Sequence, residues 1–265
     1  MTDTKRSAKT ALKTAVIIPS RYSSQRLPQK PLAMLRGKSL VQRVYEKAKA
    51  ADNIDIVIVA TDHEEIAEHV QSFGGEVIMT SPECPSGTDR VAEAAAALSE
   101  EYGIVINVQG DEPLIAPQVI SKLALAMQED YTVDVATPIS PILHAEELQN
   151  PATVKVVRDT EGNALYFSRQ AIPFLRDVEQ ISSAWLNQFQ YMKHIGLYAF
   201  RRPVLEQFVT LPEGLLERAE KLEQLRLLEA GIKIKCVTVQ YDSVAVDTPD
   251  DIIRVEALLD RTENG

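Results

Sequence analysis

Cysteine is scarce in this chain. Cys84 and Cys236 are the only two among 265 residues, too few for a disulfide framework and without metal-ligand spacing. No apolar run approaches the roughly 20 residues of a membrane-spanning helix, and residues 1–13 are polar, without the apolar stretch of a secretory signal. A cytoplasmic protein with no membrane contact is the expectation. Positive charge is also in deficit: 28 Lys and Arg against 38 Asp and Glu give a net charge of −10, which argues against nucleic acid as a partner. Neither a GxxxxGK[ST] phosphate loop nor a GxGxxG dinucleotide fingerprint occurs anywhere. A polyanionic ligand would therefore need a local cationic cluster, helped by a divalent cation.

The composition, 45% hydrophobic and 25% charged, is that of a globular protein with a sizeable core. Strand and helix alternate from the start. Strands are expected at 15–18, 55–60, 76–79 and 104–108, as short continuous apolar runs of the kind buried on both faces of a sheet. Helices are expected at 39–51, opened by Ser39 and Gln42, at 62–73, capped by Asp62, at 89–98, and from Pro117. Repeated units of this length imply a parallel sheet with right-handed crossovers.

Regularity breaks near residue 133. Strands are expected at 133–138, 153–158, 164–169 and 193–200, with a hairpin turn at 159–162. The stretch 177–190, with Trp185 and Phe189, reads as an inserted or partner-facing segment. Helices at 202–209 and 215–230, a strand at 233–240 and a last helix opening at Pro249 complete the chain. The fold class expected is α/β: a Rossmann-like, mostly parallel sheet with a small mixed α+β part in the second half. Residues 14–262 form a single domain behind a polar tail.

Ligands of open α/β sheets bind at the carboxyl ends of the strands, so the loops there carry the candidates. The first places Arg21, Arg26 and Lys30 among Ser20, Ser23 and Ser24, a set of cations and hydroxyls suited to a phosphate chain. The loop before residue 89 offers Ser86-Gly-Thr88 to an anion or a base edge, although Ser86 serves equally as a plain helix cap. Cys84 reads as an incidental loop thiol. After the fourth strand, Gln109-Gly-Asp111 ends a buried run in a carboxylate, the position of a metal–phosphate ligand. Asp247 follows an apolar stretch in the same manner, with helix capping as its alternative role. Together Asp111 and Asp247 suit magnesium, which takes one or two carboxylates plus phosphate oxygens.

Of the four histidines, His194 stands apart: it begins an apolar strand that would put it on one face with Gly196 and Tyr198. Glu217, Glu220 and Gln224 form a polar stripe, with Glu223 close by, on the expected 215–230 helix. A solvated face with a Glu217–Lys221 pair explains that stripe as well as a binding role does.

As a set, these loops resemble the 3-deoxy-D-manno-octulosonate (KDO) cytidylyltransferases. The resemblance runs from residue 15 to 259. It is carried by Pro19-Ser-Arg-Tyr-Ser-Ser-Gln-Arg-Leu-Pro-Gln-Lys-Pro-Leu32, Val59-Ala-Thr-Asp62, Phe73-Gly-Gly-Glu-Val77, Ser86-Gly-Thr-Asp-Arg90 and Val108-Gln-Gly-Asp-Glu-Pro113. In the second half it rests on Ala164-Leu-Tyr-Phe-Ser-Arg169, His194-Ile-Gly-Leu-Tyr198, Leu222-Glu-Gln-Leu-Arg226 and Val246-Asp-Thr-Pro249.

The resemblance implies a fold of the nucleotide-diphospho-sugar transferase type and transfer of CMP from CTP to KDO, for lipopolysaccharide assembly. It makes Arg21 and Lys30 the triphosphate ligands, with Arg26 assisting, and puts Ser20, Ser86, Arg90 and Gln109 in the nucleotide site. Asp111 and Asp247 become the Mg²⁺ ligands, and Arg169, His194, Tyr198, Glu223 and Gln224 the sugar side. It also implies a homodimer, with 138–212 as the sugar-binding and dimerisation part and Trp185 and Phe189 packing on the partner. Gln29 stands where the family usually has Gly, Ser20 where Ala is common, and Lys193 where Arg is frequent; none of these removes a proposed ligand. The competing readings are a CMP-sialic acid synthetase, an amino-KDO cytidylyltransferase, a transferase using another nucleotide base, and a non-catalytic nucleotide-binding protein.

Overall fold

Ile17 of the first strand packs to one side while Val16 and Ile18 pack to the other, and all three are fully buried, so this strand lies inside a sheet covered on both faces. The computed structural model describes residues 12–23, 27–178 and 182–263. In chain order come β1 (Thr14–Ser20), β2 (Met34–Leu35), β3 (Lys38–Ser39), α1 (Leu40–Lys49), β4 (Ile56–Thr61), α2 (Glu64–Ser72), β5 (Glu76–Met79), α3 (Gly87–Ala96), β6 (Ile104–Asn107) and α4 (Pro117–Glu129). The second half adds β7 (Val135–Pro141), α5 (Ala145–Gln149), β8 (Lys155–Arg158), β9 (Ala164–Ser168), α6 (Ser183–Gln188), β10 (Met192–His194) and β11 (Tyr198–Arg201). It closes with α7 (Arg202–Phe208), α8 (Leu215–Glu220), α9 (Leu225–Glu229), β12 (Ile234–Thr238) and α10 (Pro249–Glu263).

One sheet of ten strands has the order β5-β4-β1-β6-β11-β7-β10-β8-β9, with β12 alongside β7. The block β5-β4-β1-β6 is parallel. The inserted β11 runs antiparallel to both β6 and β7, and β10, β8 and β9 follow as antiparallel neighbours. Helices α1, α2 and α4 cover one face through Val41, Val44, Ile66, Val70, Ile120 and Leu123; α3, α7 and α9 cover the other through Val91, Leu205, Phe208 and Leu225. This is the α/β sheet that the sequence implies, parallel in its first block and mixed in its second half.

Four local expectations fail, each for a physical reason. The 193–200 run is two strands: β10 pairs with β7 and β8, then a tight turn gives Leu197 N–H to Ile195 O, and β11 moves across to β6. The 215–230 helix breaks at Lys221, which adopts a left-handed φ of 53°, and Glu217 pairs with Arg226 rather than Lys221. Asp62 caps no helix: His63 occupies the N-cap of α2, while the Asp62 carboxylate accepts from Arg90 Nη2 at 2.8 Å. Trp185 needs no partner chain, because it is buried in its own small core, stacked on Tyr191 and edge-on to Phe174.

Candidate active site

The carboxyl ends of β1 and β6, the loop between β5 and α3 and the approach to α10 enclose a cavity of about 630 Å³. It lies where an open sheet of this kind places its ligands. Gly110 permits the close approach of the β6 loop to β1: a Cβ there would stand 3.0 Å from Pro19 O and 3.4 Å from Ser20 Oγ. Val246 N–H donates to Asp111 O at 2.9 Å and joins the segment before α10 to the same wall.

Three charged groups from distant parts of the chain meet in that wall. Lys30 Nζ donates to Asp111 Oδ2 at 2.8 Å and to Asp247 Oδ1 at 2.9 Å. The capping role open to Asp247 falls to its neighbours instead. Thr248 Oγ1 accepts from Asp251 N–H, and Asp251 Oδ2 accepts from the N–H groups of Asp247 and Thr248 at 3.0 and 2.9 Å. Those bonds hold the Asp251 carboxyl below its usual range. The Asp247 carboxylate is thereby directed to Lys30. Two carboxylates thus share one ammonium. Among the described residues no group of three or more His, Cys, Asp or Glu side chains forms a metal cage. A pair of hard oxygen donors fits a cation that completes its shell with water and ligand phosphate.

The cationic loop occupies the opposite lip. Arg21 is exposed, lines the cavity and has no ion-pair partner among the described residues. Gln29 sits at φ 55°, a left-handed conformation that favours glycine, and its side-chain amide donates to Tyr22 Oη. Tyr22 in turn stacks on His63 with ring centroids 3.6 Å apart, which anchors the residues next to Arg21 and Lys30. Arg26 lies outside the described residues.

Ser86 both caps α3, accepting from Asp89 N–H at 3.2 Å, and lines the cavity, so its two candidate roles coincide. Arg90 lines the cavity but commits its guanidinium to Thr80 Oγ1 and Asp62 Oδ2, which makes it a wall element. Gln109 and Ser20 are in the lining too. Cys84 is there as a thiol: burial and its hydrogen bond to Glu93 push it up to about 11.

The five residues assigned to the sugar side do not line this cavity; they cluster beside it. Thr88 links the two regions, following cavity-lining Gly87 and donating Oγ1–H to Glu223 Oε2 at 2.7 Å. His194 and Tyr198 are adjacent, with ring centroids 5.4 Å apart, although they belong to different strands. Thr137 donates its one hydroxyl proton to Leu197 O at 2.7 Å, so at 2.9 Å it accepts from His194 Nε2–H, which fixes that tautomer. Burial lowers His194 to about 3, so the ring is neutral, and raises Tyr198 well above its ordinary value. Among the described residues Gln224 Nε2 and Asn107 Nδ2 are buried without a partner, as is Ser20 Oγ in the cavity wall: three polar atoms for ligand or water to satisfy. Arg169 spends its guanidinium on the carbonyls of Glu220, Lys221 and Pro151, at 2.7, 3.2 and 3.0 Å.

Sequence reasoning offered Thr88 to an anion or a base edge, not to Glu223, and it missed Glu112. Glu112 is buried beside Asp111, and burial pushes its carboxyl up to about 7 against the opposing hydrogen bond from Ser243. The Asp-Glu pair was visible in the sequence, but the burial of its second member was not.

The family model described as cytidylyltransferase matches residues 15–234. A 3-deoxy-manno-octulosonate cytidylyltransferase of Desulfosudis oleivorans is 47% identical, covering 94% of this chain and 98% of that protein. Its namesake in Chloroherpeton thalassium is 48% identical over the same shares. An 8-amino-3,8-dideoxy-manno-octulosonate cytidylyltransferase of Shewanella frigidimarina is 45% identical over 94% of this chain and 99% of its own. Among solved structures, a CMP:2-keto-3-deoxy-manno-octonic acid synthetase complexed with CTP superposes with a TM-score of 0.87 at 43% identity, covering 94% of this chain and 99% of that one.

Proposed function

Because the chain belongs to the cytidylyltransferase family, and within it to the 3-deoxy-manno-octulosonate cytidylyltransferases, we propose that it transfers CMP from CTP to KDO and releases pyrophosphate. The anomeric hydroxyl of the sugar attacks the α-phosphorus in line and pyrophosphate leaves. The observation that carries this reading is the meeting of Asp111, Lys30 and Asp247 in one cavity wall at the carboxyl ends of β1 and β6.

Arg21 and Lys30 hold the triphosphate, and Arg26 assists. Ser20, Ser86 and Gln109 meet the rest of the nucleotide, with Arg90 bracing the wall behind them. Asp111 and Asp247 hold Mg²⁺, which when bound would neutralise charge at the reacting phosphorus. No covalent enzyme intermediate is required, since in-line transfer depends on positioning and charge stabilisation. The sugar meets Tyr198, Glu223, Gln224 and neutral His194, while Arg169, tied to three carbonyls, shapes that side and offers its remaining donor capacity to the sugar carboxylate.

A homodimer belongs to the same proposal, with 138–212 as the sugar-binding and dimerisation part. Leu143, Phe174 and Phe189 support it: they are exposed at 66, 72 and 40% around the small core that holds Trp185 and Tyr191. A cytoplasmic location fits the absence, among the described residues, of any helix long and apolar enough to cross a membrane.

Pyrophosphate release tests the function, measured with CTP, Mg²⁺ and each of KDO, its 8-amino-8-deoxy analogue and N-acetylneuraminate. Release with KDO far above the other two is expected. Preference for the amino sugar or the sialic acid would replace the acceptor and keep the chemistry. Silence with all three would leave a nucleotide-binding protein without transfer.

A further inference from the structure

Asp247 stands at the end of a strap, residues 239–248, that has no regular secondary structure. The last sheet-like bond before it is Val239 N–H to Ile139 O, and the next regular element is α10. Apart from Val246 N–H to Asp111 O, no backbone bond among the described residues ties this strap to the Asp111 loop. What holds it otherwise is a set of side chains, with Glu112 at their centre. Its carboxylate, only 4% exposed, accepts Ser243 Oγ–H on Oε1 at 2.6 Å and Tyr241 Oη–H on Oε2 at 3.3 Å. On the outer side, Lys193 bridges Asp242 of the strap to Glu147 of α5. Three residues beyond Ser243, Val246 N–H donates to Asp111 O.

We propose that Glu112 is a positioning residue for the divalent cation: it sets the strap in the register that brings Asp247 to face Asp111. This rests on the reading that Asp111 and Asp247 hold that cation. The geometry fits such a role because the anchor and the first carboxylate are consecutive residues. Glu112 points inward to the strap and Asp111 outward to the cavity, so one rigid loop fixes both. A buried carboxylate taking two hydroxyl protons is also costly to leave unpaired, which makes alternative strap registers unfavourable.

The test measures Mn²⁺ binding by calorimetry, with and without CTP, in the full-length protein, beside the Mg²⁺ half-saturation of pyrophosphate release. Glu112→Ala is expected to weaken Mn²⁺ binding about 10- to 100-fold and to raise the Mg²⁺ half-saturation in proportion. The rate recovers at saturating Mg²⁺ and the KM for KDO stays put. Glu112→Gln, which keeps the shape and an acceptor for Ser243, is expected to stay within a few-fold of wild type. The double variant Tyr241→Phe/Ser243→Ala removes the same link from the strap side. It reproduces the loss of cation affinity, and it carries the test should Glu112→Ala fail to fold. Wild-type Mn²⁺ affinity in the folded double variant, or a lowered melting temperature with unchanged cation binding, overturns the proposal. Asp111→Asn separates the two levels: if it also keeps wild-type Mn²⁺ binding, the metal assignment itself falls; if it alone loses binding, only the role of Glu112 falls.

Discussion

Arg21 and His194 show how differently two candidate side chains are set up. Arg21 is exposed and unpaired among the described residues, so in the role proposed for it a replacement would remove a phosphate contact without touching the core. Arg21→Ala is expected to leave the melting temperature unchanged and lower kcat/KM for CTP by about 10- to 150-fold, the worth of a charge-assisted hydrogen bond of roughly 1.5–3 kcal/mol. Steady-state kinetics beside a thermal melt checks both halves. His194 is enclosed by Thr137, Phe167 and Tyr198 and is lowered by burial from 6.5 to about 3. Its folded value lies below its unfolded one, so between those limits the unfolded chain binds the extra proton. Stability is complete above pH 6.5 and is lost as the pH falls toward 3. At pH 5 this one group costs about 1–2 kcal/mol. His194→Asn should therefore show a shallower loss of denaturant stability between pH 7 and pH 5 than the parent protein. An equal slope would mean that the ring is solvated.

The break between α8 and α9 matters at the level of elements because it creates a contact that one straight helix would forbid. With Lys221 left-handed, the chain folds back, and Glu217 takes Arg226 Nε and Nη2 at 2.7 and 2.6 Å, nine residues ahead. The Arg226 guanidinium also covers the Phe208 ring at 4.9 Å, tying α9 to α7. Glu217→Ala is expected to cost about 2–3 kcal/mol, since it strands a half-buried guanidinium; urea titration measures it. Sequence gave no sign of this turn, because neither Gly nor Pro marks Lys221 and the apolar spacing runs through it. By contrast β1, β4 and β6 were legible, because strands buried on both faces are continuous apolar runs, and their short length and β-branched content set them apart from buried helix segments. The cavity was legible for the same reason: once the parallel block is known, the ends of its strands name Arg21, Lys30, Ser86, Gln109 and Asp111. The strap was not, since its anchors Tyr241, Ser243 and Lys193 find their carboxylates only through tertiary contact.

For the molecule as a whole, the question is how a chain of net charge −10 receives a triphosphate. Folding concentrates the opposite sign locally and places Lys30 between carboxylates 81 and 217 positions away in the chain. The Lys30 ammonium is a counter-ion of Asp111 and Asp247 and occupies the ground a divalent cation would share. In the proposed site a bound triphosphate would offer the ammonium a second set of anions, and the carboxylates would become available to the metal. Cation and nucleotide should then bind with positive coupling, and linkage makes that coupling reciprocal. Lys30→Met separates this from simple loss of a phosphate contact. With the ammonium gone, the two carboxylates lose the cation they share, so Mn²⁺ binding without nucleotide should tighten by about tenfold or more, while CTP binding weakens. A calorimetric titration of Mn²⁺ into the nucleotide-free variant decides it. Tighter binding than in the parent protein means that Lys30 holds the metal seat until CTP arrives; weaker or equal binding means that the ammonium serves the triphosphate alone.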